Sequence, residues 1–384
     1  MTAGFVVPDY PHDRLDAARE AAARLPGGVV DLSVGTPTDP PPPVVTEALA
    51  AAITGPDGPD PSGSMRGYPP SIGTIELRQA IQQWEKDTLG AGVPIDAVAI
   101  CVGTKELVAG LPQWCHLRNP DRDTVLYPAV SYPTYAMGAT LAGLRAVPVP
   151  VDEHWRLDLA AVAPDDADRA LILWVNTPGN PAGGLDDLAA AAGWGRDRGV
   201  LVCSDECYAE YTWDGPPRTV LGRGAGPDGL GGVVAVHSLS KRSNLAGMRV
   251  GWYSGDPEVV AFLREIRKHA GFMVPGPVQR AAAAALGDAG HVAAQRERYL
   301  ARLVRAQEIL AGIGVDCDLP AGGFYLWAAA PGGDGWAWTN WLAETGGVLV
   351  SPGEFYGAAG AGHVRLAMMA PLDRLDLVAQ RLGR

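Results

Sequence analysis

No apolar run in this 384-residue sequence approaches the roughly 20 residues that a membrane-spanning helix needs. The longest, such as Leu171-Ile-Leu-Trp-Val175, stop far short. No basic segment followed by an apolar one opens the chain, so no secretory leader is expected. Cysteine is scarce. The five residues (Cys101, Cys115, Cys203, Cys207 and Cys317) are odd in number and scattered, with no C-x-x-C pair. That argues against a disulfide framework and reads as reduced, mostly buried thiols in a cytoplasmic protein. No metal is expected. Positive charge is in deficit, with 31 Lys and Arg against 43 Asp and Glu. The net charge of -12 argues against nucleic acid or an anionic membrane as the main partner, although it leaves room for a local cationic pocket. Internal repeats are absent, and nothing is low-complexity beyond the run Pro40–Pro43.

The chain is long for a single core and suggests two domains. Asp13 to Arg24 reads as a helix, and Val29 to Val34 as a short strand. Gly35-Thr-Pro-Thr-Asp-Pro-Pro-Pro-Pro43 can be neither helix nor central strand. Val44–Ile53 and Glu76–Lys86 are predicted helices, the second amphipathic through Leu77, Ile81 and Trp84. Between them, residues 55–67 form a loop by composition and deliver Tyr68-Pro-Pro. Strands and helices then alternate, the signature of a largely parallel sheet covered on both faces. The expected strands are 97–102, 124–127, 146–151, 171–175, 200–203 and 233–236, with a helix over Asp186–Arg198. An alanine-rich pattern over Val278–Ala311 reads as one or two helices. Strands at 323–327, 347–350 and 364–367 suggest a second, smaller unit. The expected division is a large domain at 47–270 and a small one made of 1–46 plus 271–384.

The chemistry centres on Val236-His-Ser-Leu-Ser-Lys241-Arg-Ser-Asn-Leu-Ala-Gly-Met-Arg249. A lysine at a strand end in an apolar fold is readily desolvated. Desolvation disfavours the ammonium form and suits Schiff-base chemistry with an aldehyde. Ser238 and Arg249 can offer a hydroxyl and a guanidinium to a phosphate. An aldehyde carrying a phosphate describes pyridoxal 5'-phosphate (PLP). Taken alone, a Ser-Leu-Ser-Lys-Arg loop is more often a solvated turn, so the other groups decide. The PLP ring nitrogen needs a buried carboxylate. Asp205, at the end of a strand, is the candidate, with Glu206 as competitor pointing the opposite way. Tyr208 and Asn180 can hold the phenolic oxygen, and Tyr132 can stack on the ring. Gly103, Thr104 and Lys105, between strand and helix, offer amides to the phosphate. An amino-acid carboxylate calls for a bidentate arginine, and Arg365 is the candidate. Each of these residues has a blander reading: strand cap, turn, loop aromatic or edge charge.

Gly35-Thr-Pro, Tyr68-Pro-Pro, Gly103-Thr-Lys-Glu, Tyr132-Pro-Thr-Tyr, Asn180-Pro-Ala-Gly, Asp205-Glu-Cys-Tyr, Ser238-Leu-Ser-Lys and Arg365-Leu occur here in one order. In that order and spacing the chain resembles the class I/II aminotransferases, PLP enzymes of fold type I, from about Asp31 to the C-terminus. The resemblance implies a large, mostly parallel three-layer αβα domain and a smaller α+β domain. It makes Lys241 the residue that carries the cofactor and shuttles the α proton. Asp205 is placed on the ring nitrogen, Tyr208 and Asn180 on the phenolate, and Tyr132 on the ring face. Thr104, the Lys105 amide, Ser238 and Arg249 hold the phosphate. Arg365 takes the α-carboxylate, with Asn180 and the Gly35 amide nearby. Tyr68 is expected to reach the phosphate of a neighbouring subunit, which implies a homodimer with shared sites. Two departures, Ala182 where Thr is usual and Cys207 where Ala or Val is common, touch no group with an assigned role.

The wording around Lys241, the stretch Arg267-Lys-His-Ala-Gly-Phe-Met-Val-Pro-Gly-Pro-Val-Gln279 and Pro352-Gly-Glu-Phe-Tyr-Gly357 resemble the actinobacterial-type succinyldiaminopimelate aminotransferases. That resemblance implies transfer between glutamate and N-succinyl-2-amino-6-oxopimelate in lysine and diaminopimelate synthesis. Arg242, Arg267 and Lys268 are cations that could meet the extra carboxylates of this acceptor, with surface charge as the bland alternative for the last two. Aspartate, alanine or aromatic aminotransferases, and a PLP-dependent lyase of the same fold, are the competing readings.

Overall fold

The computed structural model describes residues 8, 10–54, 65–222 and 227–383. Residues 55–64 of the expected proline- and glycine-rich loop lie outside them. The strands are β1 (Val30–Asp31), β2 (Val98–Cys101), β3 (Thr124–Pro128), β4 (Arg145–Val149), β5 (Ala170–Asn176) and β6 (Leu201–Asp205). They continue with β7 (Val233–Ser238), β8 (Gly251–Gly255), β9 (Tyr325–Ala329), β10 (Val348–Leu349), β11 (Ser351–Pro352) and β12 (His363–Ala367). The α-helices are α1 (Asp16–Ala23), α2 (Pro43–Thr54), α3 (Ile75–Trp84), α4 (Thr104–Arg118), α5 (Thr134–Leu141), α6 (Pro164–Arg169) and α7 (Leu188–Arg198). After them come α8 (Leu239–Arg242), α9 (Pro257–His269), α10 (Gly276–Leu286), α11 (Gly290–Gly312), α12 (Gly335–Gly346) and α13 (Leu372–Arg381).

The chain divides into two compact units. The larger comprises Thr36–Arg298 and Pro320–Phe324. Among the described residues its sheet has seven strands in the order β2-β8-β7-β6-β5-β3-β4, in which β8 alone runs antiparallel to its neighbours. Strand side chains alternate between faces, and both faces are covered. Val98 and Ile100 join a core with Leu77, Ile81 and Trp84 of α3 and Leu188, Ala191 and Ala192 of α7. Ala99 and Cys101 join the opposite core with Leu107, Val108 and Leu111 of α4 and Val259, Val260 and Leu263 of α9. This is the expected three-layer αβα arrangement, and burial on both faces explains why the strands read as continuous apolar runs.

The helices begin where the sequence supplies caps. Asp187 accepts from the Ala190 amide at 2.9 Å ahead of α7, and Gly199 (φ 62°) ends it. Asp256 accepts from the Glu258 and Val259 amides ahead of α9. The alanine-rich pattern resolves into α10 and α11, because Asp288 caps a new start through the Gly290 amide.

Strand β8 was not foreseen. Its glycine ends suppress the strand signal, yet both are required. A Cβ on Gly251 would lie 2.7 Å from the His237 carbonyl, and one on Gly255 (φ 152°) would collide with the Val233 carbonyl. The expected boundaries at 47 and 271 fall inside the larger unit. The reason is that α10 packs on α2 and α3, so both ends of that segment bury against the same core.

The smaller unit comprises residues 1–35, 299–319 and 325–384. It holds an antiparallel sheet, β11-β12-β9, and the parallel pair β1-β10, with α1, α12 and α13. Among the described residues no helix is long and apolar enough to cross a membrane, and no cluster of three or more His, Cys, Asp or Glu could hold a metal ion.

Candidate active site

The carboxyl ends of the parallel strands carry the predicted chemistry of the larger unit. Strand β7 ends at Ser238, whose hydroxyl accepts from the Ser240 amide at 3.0 Å and so starts the short helix α8. Lys241 lies on that helix. Its position is fixed through the backbone, because the Tyr211 hydroxyl donates to the carbonyl of Lys241 at 3.1 Å and to that of Arg242 at 3.2 Å. Ser238 Oγ also donates to Ser240 Oγ at 2.8 Å.

The next strand-to-helix turn supplies an anion cradle. Gly103 (φ 75°) precedes α4, leaving the first amides of a 15-residue helix at its positive end. The Arg249 guanidinium lies directly over Gly103, where a Cβ would overlap it. Only glycine leaves that space. Arg249 itself takes a left-handed backbone (φ 54°), and its Nη1 donates to the Ala246 carbonyl at 2.8 Å. Thr104 opens the helix, and its hydroxyl is 3.7 Å from the Cys207 sulfur. Glycine, helix amides, a hydroxyl and a guanidinium are groups that could hold a phosphate.

Asp205 ends β6 and is buried. Its Oδ1 accepts from the Cys207 amide at 3.2 Å and its Oδ2 from the Tyr135 hydroxyl at 2.9 Å. Burial raises its pKa above the usual carboxylate value, while these donors pull it back. Glu206 turns to the other side of the strand. It accepts from the Val220 amide at 2.7 Å and pairs with buried His237 at 3.3 Å. Tyr208 is buried edge-on to Phe324, with centroids 5.2 Å apart. Asn180 is buried after β5, and its amide donates to Asn176 Oδ1 at 2.8 Å. Tyr132, just past β3, meets Tyr135 edge-on at 5.8 Å.

The residues expected to meet the substrate divide differently. In the smaller unit, the buried Arg365 guanidinium sits over the rings of Tyr325 (4.3 Å) and Tyr356 (4.8 Å). It donates to the Ser33 carbonyl at 2.7 Å. Gly35 is packed against the Tyr325 hydroxyl, where a Cβ would overlap it.

Arg242, expected to meet the distal carboxylates of the acceptor, already has a carboxylate partner in the structure. It is buried, with Nε donating to Glu210 at 2.5 Å and Nη1 to Ser243 Oγ at 3.1 Å and the Ala285 carbonyl at 2.9 Å. Its charge is compensated by Glu210, to which the buried guanidinium is bonded. Arg267 is buried as well, paired with Glu106 at 2.5 and 3.0 Å and placed over Trp114 and Phe272. Lys268 is exposed. Tyr135 and Tyr211 carried no assignment in the sequence. The signal for Tyr135 is its spacing of three from Tyr132: Tyr132 sits just ahead of α5 and Tyr135 on its first turn.

These residues fit PLP. The cradle of α4 matches a phosphate, Asp205 offers a buried carboxylate, and Lys241 offers an amine. The 4-dedimethylamino-4-oxo-anhydrotetracycline transaminase OxyQ of Streptomyces rimosus is 41% identical over 98% of this chain and 99% of its own. An LL-diaminopimelate aminotransferase of Desulforudis audaxviator is 33% identical over 92% of this chain and 89% of its own. Among solved structures, a probable N-succinyldiaminopimelate aminotransferase from Thermus thermophilus superposes with a TM-score of 0.85 at 29% identity, covering 97% of this chain and 99% of that one. The family described as "Aminotransferase class I and II" matches residues 27–382, and the chain belongs to this family of PLP-dependent aminotransferases.

Proposed function

We propose that this aminotransferase moves an amino group between glutamate and N-succinyl-2-amino-6-oxopimelate. The assignment of roles rests on one observation: Lys241, buried Asp205 and the Arg249-capped N-terminus of α4 all lie at the carboxyl edge of one sheet. PLP, when bound, supplies an electron sink for negative charge developing at the substrate α-carbon. The α4 amides at Gly103, Thr104 and Lys105, with Ser238 and Arg249, hold the phosphate. Asp205 keeps a proton on the ring nitrogen, Tyr208 and Asn180 hold the phenolate oxygen, and Tyr132 covers the ring face. Lys241 would help hold the cofactor through its amine and would carry the proton to and from the substrate α-carbon. Arg365 receives the α-carboxylate, with the Gly35 amide and Asn180 as further donors, and two chains form a homodimer to which Tyr68 contributes.

The substrate is supported by the wording around Lys241 and by the likeness to the Thermus thermophilus protein. A second reading, an acceptor related to LL-diaminopimelate without the succinyl group, is favoured by the 33% identical relative. The test compares kcat/KM for N-succinyl-2-amino-6-oxopimelate, the unsuccinylated analogue, oxaloacetate, pyruvate and phenylpyruvate, with glutamate as donor. The succinylated acceptor is expected to lead. A lead by the unsuccinylated analogue selects the second reading, and a lead by any other acceptor removes both. Lys241→Ala is expected to abolish turnover while leaving the protein folded and PLP held through its phosphate. Turnover surviving at a normal rate would refute the role of Lys241.

A further inference from the structure

We propose that Tyr135 is a positioning residue that holds the Asp205 carboxylate in a fixed plane and ties it to the ring-stacking Tyr132. The proposal rests on the reading of Asp205 as the partner of the cofactor's ring nitrogen. Tyr135 is fully buried on the first turn of α5, and its hydroxyl donates to Asp205 Oδ2 at 2.9 Å. The other oxygen, Oδ1, is held by the Cys207 amide at 3.2 Å. The carboxylate is therefore fastened from two directions, one within its own chain segment and one from a helix on the sheet face. The phenol ring is itself held. It stacks on Trp174 of β5 with centroids 5.0 Å apart and planes 20° apart, and meets Tyr132 edge-on at 5.8 Å. Trp174 lies beside Cys203 in the β5–β6 register, two residues before Asp205. Burial, and next the Asp205 charge, push the Tyr135 phenol well above its ordinary pKa, so it remains a donor at working pH. A neutral donor to a buried carboxylate favours the charged form, which the ring nitrogen requires.

The test is Tyr135→Phe, which keeps the ring and its stacking and removes only the hydroxyl. A hydrogen bond to a charged group corresponds to about tenfold to a hundredfold in an equilibrium. The dissociation constant of PLP from the apo-enzyme, read by fluorescence quenching, is expected to rise by at least about tenfold. The kcat is expected to fall by a similar factor while KM for glutamate stays within about twofold. In the apo-enzyme, the Asp205 carboxyl band in infrared difference spectra, assigned by its absence in Asp205→Asn, is expected to protonate at higher pH. Site-specific 3-fluorotyrosine at position 135, isosteric and a stronger donor, is expected to move that protonation to lower pH without affecting the fold. PLP affinity and kcat within twofold of wild type in Tyr135→Phe, with Asp205→Asn crippled, would overturn the positioning role alone. The same holds if only the unfolding temperature moves. An Asp205→Asn enzyme equal to wild type would instead remove the ring-nitrogen reading, and this proposal with it.

Discussion

Asp205 and Glu206 are adjacent carboxylates with opposite fates, and alternation along a strand is the cause. Asp205 faces Tyr135, whereas Glu206 faces His237 and the Val220 amide. On the proposed role of Asp205, Asp205→Asn is expected to lower turnover by several orders of magnitude with modest loss of PLP, because the ring nitrogen would lose its counter-charge. Glu206→Gln is expected to act mainly on stability, by about 1–3 kcal/mol, through a weakened buried network. Chemical denaturation and steady-state kinetics on the two variants separate these outcomes. Arg242 makes the complementary point. Removing one member of a buried pair leaves the other uncompensated. Arg242→Ala is therefore expected to cost about 3 kcal/mol of stability, with the order of preference among acceptors unchanged. A selective loss on the succinylated acceptor would return Arg242 to the substrate.

At the scale of elements, α3, β7 and β8 enclose a cluster of ionisable groups beneath the lysine-bearing turn. Glu85 follows α3 in a π-helical turn and accepts from Ser254 of β8. His237 of β7 is stacked on Trp252 of β8 at 5.4 Å and meets Trp84 edge-on at 5.0 Å. Burial raises the Glu85 pKa from 4.5 to about 7, against the pull of Ser254. Burial lowers that of His237, but Glu206 outweighs it and the net shift is upward. Both groups therefore hold protons more tightly in the folded chain than in the unfolded one. Between pH 4.5 and about 7 the unfolded chain has released the Glu85 proton while the folded chain keeps it, so stability falls as pH rises. The His237 contribution is complete below 6.5 and is lost at higher pH, in the same direction. Glu85→Gln is expected to remove a slope on the order of 3 kcal/mol across pH 4.5–7, measured as the difference in unfolding free energy between the two proteins. Identical pH profiles would show that Glu85 does not titrate in this range.

For the molecule as a whole, Tyr68 carries the expectation of assembly. It is 93% exposed in the single chain, the largest exposure among the large apolar and aromatic side chains of the described residues. Tyr68→Phe is expected to weaken PLP retention. Mixing it with Lys241→Ala is expected to restore one complete site per mixed dimer, seen as recovered activity at limiting PLP. A fully active monomer by light scattering would defeat the shared-site expectation.

The pattern along the chain was enough to place most of the apolar strands and the αβα layering, because buried parallel strands and their terminal loops leave local marks: apolar runs, caps and glycines at fixed offsets. The positions of Lys241, Asp205 and the Gly103 turn at strand ends are legible for that reason. Tertiary structure alone decided where each charge goes. Arg242 and Arg267 look like available cations in one dimension, yet Glu210 and Glu106 stand 32 and 161 residues away from them and claim both. It also decided β8, whose glycines lower its local propensity while being demanded by carbonyls of β7. Tyr135 acquires its partner only when β6 and α5, 70 residues apart, close on one another. Pairings across such separations are set by which faces can bury together, and no local run of residues encodes them.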